Sequence, residues 1–286
     1  MGPSKGARPH SVPQVNLTDP GELKSLLLRH GLAPTKRWGQ HFLVSPTVVD
    51  RILDAAGHPK GVLEIGPGPG VLTRPLSERC ERVIAYEVDP IAVSALSESA
   101  PRAEIRHEDA LRVDLGIALM ELPEPRAVVS NMPYNITAPL LQAFAGVRRH
   151  YETAVLMMQL EVGRRLLAQA GDSNAGSLSI FMQAQFEIEK VCLVPPGAFY
   201  PPPNVDSIVL KLTPRETGIQ DEAAFFGMVR TGFTQPRKTL VNNLSPFGKE
   251  RVLAALASGG FSPSVRPHQL SLDNWKSLAA SIIESA

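Results

Sequence analysis

GVLEIGPGPGVLT (61–73) is an apolar run that ends in three closely spaced glycines, Gly66, Gly68 and Gly70, and the pattern that continues from it decides the fold. From residue 61 onward, GVLEIG, VIAYEVD, AEIRHEDA, AVVSNMPY and TAVLMMQ alternate with helical patterns. Such alternation implies βαβ units around a buried, mostly parallel sheet. Gly66, Glu87, Asp109 and Asn131 each sit at or just past the end of one run, separated by 21, 22 and 22 residues. A strand, a helix and two short loops take about this many residues, so the spacing predicts all four at the carboxyl edge of one sheet. Open α/β sheets bind their ligands in the crevice outside that edge.

The residues at this edge narrow the ligand. The glycines follow GxGxG spacing, not the GxGxxG of dinucleotide sites, and Pro67 and Pro69 remove two N–H donors. The loop is therefore a poor cradle for pyrophosphate. Glu87 is placed to accept hydrogen bonds from ribose hydroxyls, and Asp109 from an adenine amino group. S-adenosylmethionine, a phosphate-free adenosine carrying a sulfonium, fits this inventory.

At the end of the fourth run stand Asn131, Met132, Pro133 and Tyr134. An adenine amino group is a weak nucleophile because its lone pair is delocalised into the ring. The Asn131 side-chain oxygen, with the main-chain carbonyl of Met132 or Pro133, would accept its two N–H bonds and aim the lone pair at a methyl group. Tyr134 would stack on an extruded base, a contact worth about 1–3 kcal/mol. No catalytic base is needed, since the proton leaves after the amine has become cationic.

Composition excludes several classes. Of 286 residues, 43% are hydrophobic and 20% charged, so the chain affords a sizeable core and is not disordered as a whole. A net charge of +1 excludes a uniformly basic nucleic-acid coat and leaves room for a basic face. Lys36-Arg37, Arg148-Arg149-His150, Arg164-Arg165 and Arg237-Lys238 bind nucleic acid only if they converge. Two cysteines, 112 positions apart and without a CxxC partner, suggest neither a disulfide framework nor a zinc site. With no signal-peptide pattern and no apolar run of membrane-spanning length, the protein is expected to be soluble and cytoplasmic, without a metal or membrane partner.

Residues 1–17 read as a flexible tail. Asp19-Pro20-Gly21-Glu22 opens a short helix that Gly31 ends. Residues 18–215 are taken as the sheet domain, in which SIFMQAQFEIEKVCLV (179–194) and DSIVLKLTP (206–214) read as long strands paired antiparallel at one sheet edge. After Pro214, EAAFFGMVRTGF, KERVLAALASGG and LDNWKSLAASII indicate a small helical domain over 216–286.

GQHFLVS, EIGPGPGVLT, YEVD, EDA, NMPYNIT, PPGAFYPPPNVDS, FTQPRKTLVNNL and RPHQLSLDNW together resemble the ribosomal RNA adenine dimethyltransferases of the KsgA/RsmA type, in order from about residue 22 to 280. The resemblance implies a class I, Rossmann-like methyltransferase fold with a seven-stranded sheet and a helical C-terminal domain. It implies transfer of four methyl groups from S-adenosylmethionine to two adjacent adenines in the 3′-terminal helix of 16S rRNA, in the small subunit or its precursor. Cofactor contacts then map to His41, Leu43, Gly66, Glu87, Asp109 and Asn131. Asn131, Pro133 and Tyr134 match the catalytic NLPY motif, Phe199 the second aromatic that sandwiches the target base, and Arg237 and Lys238 phosphate contacts. A monomer and a role in small-subunit biogenesis are expected. Met132 stands where the family commonly has Leu, His41 where it often has Asn, and Pro236 where Arg is usual.

The nearest rival is a 23S-directed adenine methyltransferase with the same core, against which PPPNVDS and RPHQLSLDNW weigh. Modifiers of DNA adenine or protein glutamine carry NPPY or DPPY instead. A protein that acts chiefly by binding immature subunits during assembly, and a NAD-linked dehydrogenase, would use the same fold without this chemistry.

Overall fold

The computed structural model describes residues 15–32 and 41–283, so residues 1–14 of the expected tail and the Lys36-Arg37 pair lie outside the described residues. The first helix, α1 (Pro20–His30), forms where the sequence pattern places it. The Asp19 carboxylate accepts from the Gly21 and Glu22 N–H groups at 2.9 and 2.8 Å, and Gly31 closes the helix in the left-handed conformation (φ 67°). Next come β1 (Phe42–Leu43), α2 (Pro46–Ala56), β2 (Gly61–Ile65), α3 (Thr73–Arg79) and β3 (Arg82–Glu87). They are followed by α4 (Pro90–Ser99), β4 (Glu104–His107), α5 (Leu115–Met120), β5 (Arg126–Asn131) and α6 (Thr137–Gly146). The chain continues through β6 (Thr153–Gln159), α7 (Leu160–Leu167), α8 (Ser177–Gln185), β7 (Phe186–Val194), β8 (Phe199–Tyr200) and β9 (Ser207–Pro214).

Seven strands form one sheet in the order β4-β3-β2-β5-β6-β9-β7. The first five are parallel, and β9 runs antiparallel to both β6 and β7. Strand β2 is buried along its whole length, as a strand covered by helices on both faces must be. Apolar layers lie on either side: Val62, Val83, Ala127 and Val155 pack with α1 and α2, while Leu63, Ile84, Val128 and Leu156 pack with α5 and α6. Strands β1 and β8 pair antiparallel as a separate two-residue ribbon, too short to leave a periodic pattern in the sequence.

SIFMQAQFEIEKVCLV is not the single strand that its apolar pattern suggests: its first half is helix α8, and the chain turns to strand only at Phe186. The antiparallel edge pairing itself is present, with β7 outermost beside β9. Beyond it lie α9 (Glu222–Gly232), α10 (Leu240–Asn243), α11 (Lys249–Ser258) and α12 (Leu272–Ile283), around the fully buried Trp275 and its stacked neighbour Phe233. Their core also takes in Ile180 and Ala184 of α8. Arg148 and Arg149, one of the basic clusters, pair with Glu222 and Glu216, so that cluster ties the sheet to the helical region. Among the described residues no helix is long and apolar enough to cross a membrane.

Candidate active site

The four in-phase residues reach the same edge of the sheet. Gly66 follows β2, Glu87 ends β3, Asp109 lies two residues past β4, and Asn131 ends β5. These strands are neighbours in the sheet, and one cavity outside their carboxyl ends is lined by all four residues, together with His41, Leu43, Pro133 and Tyr134. Phe199 does not line it: that ring is 3% exposed in β8, paired through the backbone to Leu43, while the adjacent Tyr200 is half-buried beneath the Lys24 ammonium. Arg237 and Lys238 are exposed in the loop before α10 and do not line the cavity.

The glycine loop is built for close approach rather than for phosphate. Gly66 and Gly68 have φ of 69° and 55°, and a Cβ on Gly66 would lie 3.2 Å from the Pro133 ring. The backbone donors of the loop are already engaged: Gly66 N–H bonds Tyr86 O, Gly68 N–H bonds Glu87 Oε2, and Gly70 N–H bonds Pro67 O. Pro67 and Pro69 have none. Glu87 Oε1 accepts from the Val88 and Asp89 N–H groups, both at 2.9 Å, which fixes the carboxylate at the cavity wall. Burial pushes its pKa up, and these three hydrogen bonds hold it back. A polyanion is repelled by the acids here and finds the N–H groups occupied, whereas the same acids attract a phosphate-free nucleoside that carries a positive charge.

Glu64, just before the glycine loop, is a buried acid to which the motif EIGPGPGVLT assigns no role. Among the described residues its Oε2 has no hydrogen-bond partner, and burial pushes its pKa up to about 8, against the opposing effect of the nearby Thr73 hydroxyl and with Glu87 adding to the rise. Because the folded value lies above the ordinary 4.5, the folded chain keeps a proton that the unfolded chain releases. The stability this group contributes is complete below about pH 4.5 and is lost as pH rises through about 8. Glu64→Gln, neutral throughout, is expected to remove that loss: its melting temperature should match wild type at acid pH and exceed it at alkaline pH. Parallel melting curves across the pH series would contradict a proton held at Glu64.

Around Asn131 the geometry is specific. The Asn131 Nδ2 donates to the His41 main-chain oxygen at 3.2 Å, so its Oδ1 is the atom left to accept from a ligand. His41 Nδ1 donates to Pro201 O at 2.8 Å, and the His41 ring stacks on Tyr134 at 5.6 Å between centroids. Pro133 O already accepts from Ile136 N–H and the Thr137 hydroxyl, each at 3.2 Å. Burial raises the Tyr134 phenol above its usual range, which keeps it neutral, and its hydroxyl is 2.7 Å from that of the buried Ser207.

In the sequence Ser207 is only the last letter of PPPNVDS, and nothing there marks it as the support of Tyr134. Loss of this neutral hydrogen bond in Ser207→Ala costs about 1 kcal/mol of ring positioning. The expected result is a several-fold rise in KM for nucleic acid with kcat nearly unchanged. Tyr134→Phe should match it, and the double variant should be no worse than either single one; additive losses would show that the two hydroxyls act separately.

The model of the family described as ribosomal RNA adenine dimethylase matches residues 33–284. The chain is 38% identical to ribosomal RNA small subunit methyltransferase A of Geobacillus thermodenitrificans, over 94% of this chain and 97% of that one. With the protein of the same name from Moorella thermoacetica it shares 40% identity, over 93% and 99%. Among solved structures, a dimethyladenosine transferase from Plasmodium falciparum superposes with a TM-score of 0.68 at 27% identity, covering 83% of this chain and 96% of that one. The 23S rRNA methyltransferase ErmE does so with 0.67 at 30%, covering 85% and 99%. The chain, a Rossmann-like methyltransferase with a helical C-terminal region, belongs to the ribosomal RNA adenine dimethylase family.

Proposed function

We propose that this enzyme dimethylates the 6-amino groups of two adjacent adenines in the 3′-terminal helix of 16S rRNA, within the small ribosomal subunit or its precursor, using S-adenosylmethionine. The observation that carries the chemistry is the anchoring of Asn131 Nδ2 on His41 O, which leaves a carboxamide oxygen at the strand end as an acceptor. The small-subunit target is supported by the names of the curated relatives, which match over nearly the full length of both chains.

S-adenosylmethionine, when bound, supplies an electrophilic methyl group on a sulfonium. Glu87, Asp109, Gly66, Leu43 and His41 would hold its adenosine and methionine parts, in a cavity whose acids suit a cation. Asn131 Oδ1 accepts one N–H of the target amine. With Pro133 O already holding two hydrogen bonds, the second acceptor is the Met132 carbonyl. These two contacts draw the nitrogen toward tetrahedral geometry and aim its lone pair at the donor. Tyr134, fixed by Ser207 and His41, stacks on the base. The proton leaves once the amine is cationic, so no side chain acts as base. Phe199 would join the sandwich only after leaving its buried place in β8. Residues 216–286 engage RNA, with Arg237 and Lys238 on phosphates, and the enzyme works as a cytoplasmic monomer without metal.

Purified small and large subunits, both from cells lacking the modification, decide the target. Label from methyl-labelled S-adenosylmethionine is expected in small-subunit RNA; label confined to 23S RNA would keep the chemistry and overturn the target.

A further inference from the structure

The carboxyl edge of the sheet does not end at Tyr134. Beyond it a second cavity opens between the start of α7 and the PPPNVDS segment, lined by Gln159, Arg164, Asn174, Pro196, Asn204 and Val205 among others. Its position is set by strand register. Gln159 ends β6 and is paired with Ser207, the residue that holds the Tyr134 hydroxyl, and Leu160 N–H donates to Asp206 O at 2.9 Å. The Tyr134–Ser207 contact therefore stands between the two cavities. Asn131 at the end of β5 lines the first cavity and Gln159 at the end of β6 lines the second, and these two strands are neighbours in the sheet.

The lining has the chemistry of a nucleotide site. Among the described residues, the Gln159 and Asn204 carboxamides make no hydrogen bond within the chain, so each offers a donor and an acceptor to a base edge. Arg165 is paired with Glu161, but Arg164, exposed beside it, has no carboxylate partner among the described residues. Val205, 45% exposed, and Pro196 supply an apolar wall for a base face. Two carboxylates complete the lining, Glu161, neutralised by Arg165, and Asp206, an acceptor for a base amino group, so that amides, one unpaired guanidinium and an apolar wall meet the base and phosphate of a single nucleotide.

We propose that this cavity takes the nucleotide adjoining the target adenine on the same RNA strand, with Arg164 on its phosphate and Gln159 and Asn204 on its base. The inference rests on the adenine-methylating reading of the cavity beside Asn131. It gives a function to the one member of the Arg164-Arg165 cluster that Glu161 does not neutralise.

The test uses unmethylated small subunits and three variants: Arg164→Ala, Arg164→Lys as its charge-retaining control, and the double variant Gln159→Ala/Asn204→Ala. Arg164→Ala should raise KM for subunits about tenfold, with kcat and S-adenosylhomocysteine affinity within about twofold of wild type and Arg164→Lys in between. Subunits in which the adjoining base is changed, read as transfer to the remaining target adenine, should lower kcat/KM about tenfold for wild type and less than about twofold for the double variant. Retained S-adenosylhomocysteine binding reports that each variant is folded. Equal penalties for wild type and the double variant, or an unchanged KM in Arg164→Ala, overturn the inference and leave the adenine reading intact. A wild-type enzyme that methylates no subunit overturns both.

Discussion

Replacing Asn131 by alanine is expected to lower kcat for methyl transfer by about 10²–10³, the cost of losing one preorganised acceptor at a reacting centre. The reason is local. The His41 carbonyl fixes the carboxamide by its nitrogen, so the oxygen is held in place before substrate arrives. Alanine leaves the amine with the Met132 carbonyl alone, and a lone pair still delocalised into the ring. S-adenosylhomocysteine should bind Asn131→Ala within about tenfold of wild type, since at most one neutral contact to the cofactor is lost. Single-turnover transfer beside calorimetry separates the two quantities. A variant with wild-type kcat would show that Asn131 does not touch the reacting nitrogen.

The second large effect is on cofactor affinity. Glu87→Ala removes the carboxylate that the proposed reading places on the ribose hydroxyls, with each such hydrogen bond worth about 1.5–3 kcal/mol. It also strips the Gly68, Val88 and Asp89 N–H groups of their partner. Together these predict at least about a hundredfold loss in S-adenosylhomocysteine affinity. The fold should survive, because α4 keeps its own cap, the Asp89 carboxylate on Ile91 N–H. Unchanged affinity in calorimetry would place the ribose elsewhere. Titration of NADH is the companion measurement: the occupied N–H groups of the glycine loop predict no binding, and tight binding would return the site to a dehydrogenase.

Why these residues were legible and others were not follows from their surroundings. Parallel strands with crossover helices repeat at nearly constant length, so Gly66, Glu87, Asp109 and Asn131 carry a period that spacing alone reveals. The helix α8 carries no such signal. Met182 packs against the sheet core while Ile180 and Ala184 enter the core of the C-terminal helices, so both sides are apolar and alternation imitates a strand. Gly176 and Ser179 begin it with a cap, Gly176 N–H on Ser179 Oγ, that is easily mistaken for loop chemistry. Pairwise supports were out of reach for another reason. Ser207 under Tyr134 and His41 against Asn131 join residues 73 and 90 positions apart, and no local pattern encodes such contacts. Phe199 shows the opposite limit: its motif is plain in the sequence, yet the ring lies buried beside Leu43 and does not line the cavity.

The most direct measurement is nucleoside analysis of small-subunit RNA, with the modified positions mapped, after reaction with S-adenosylmethionine. N6,N6-dimethyladenosine at two adjacent adenines near the 3′ end, absent when Asn131→Ala replaces wild type, is the expected result. Methylation at other positions, or the same product from the variant, would contradict a reaction centred on the carboxamide that His41 holds.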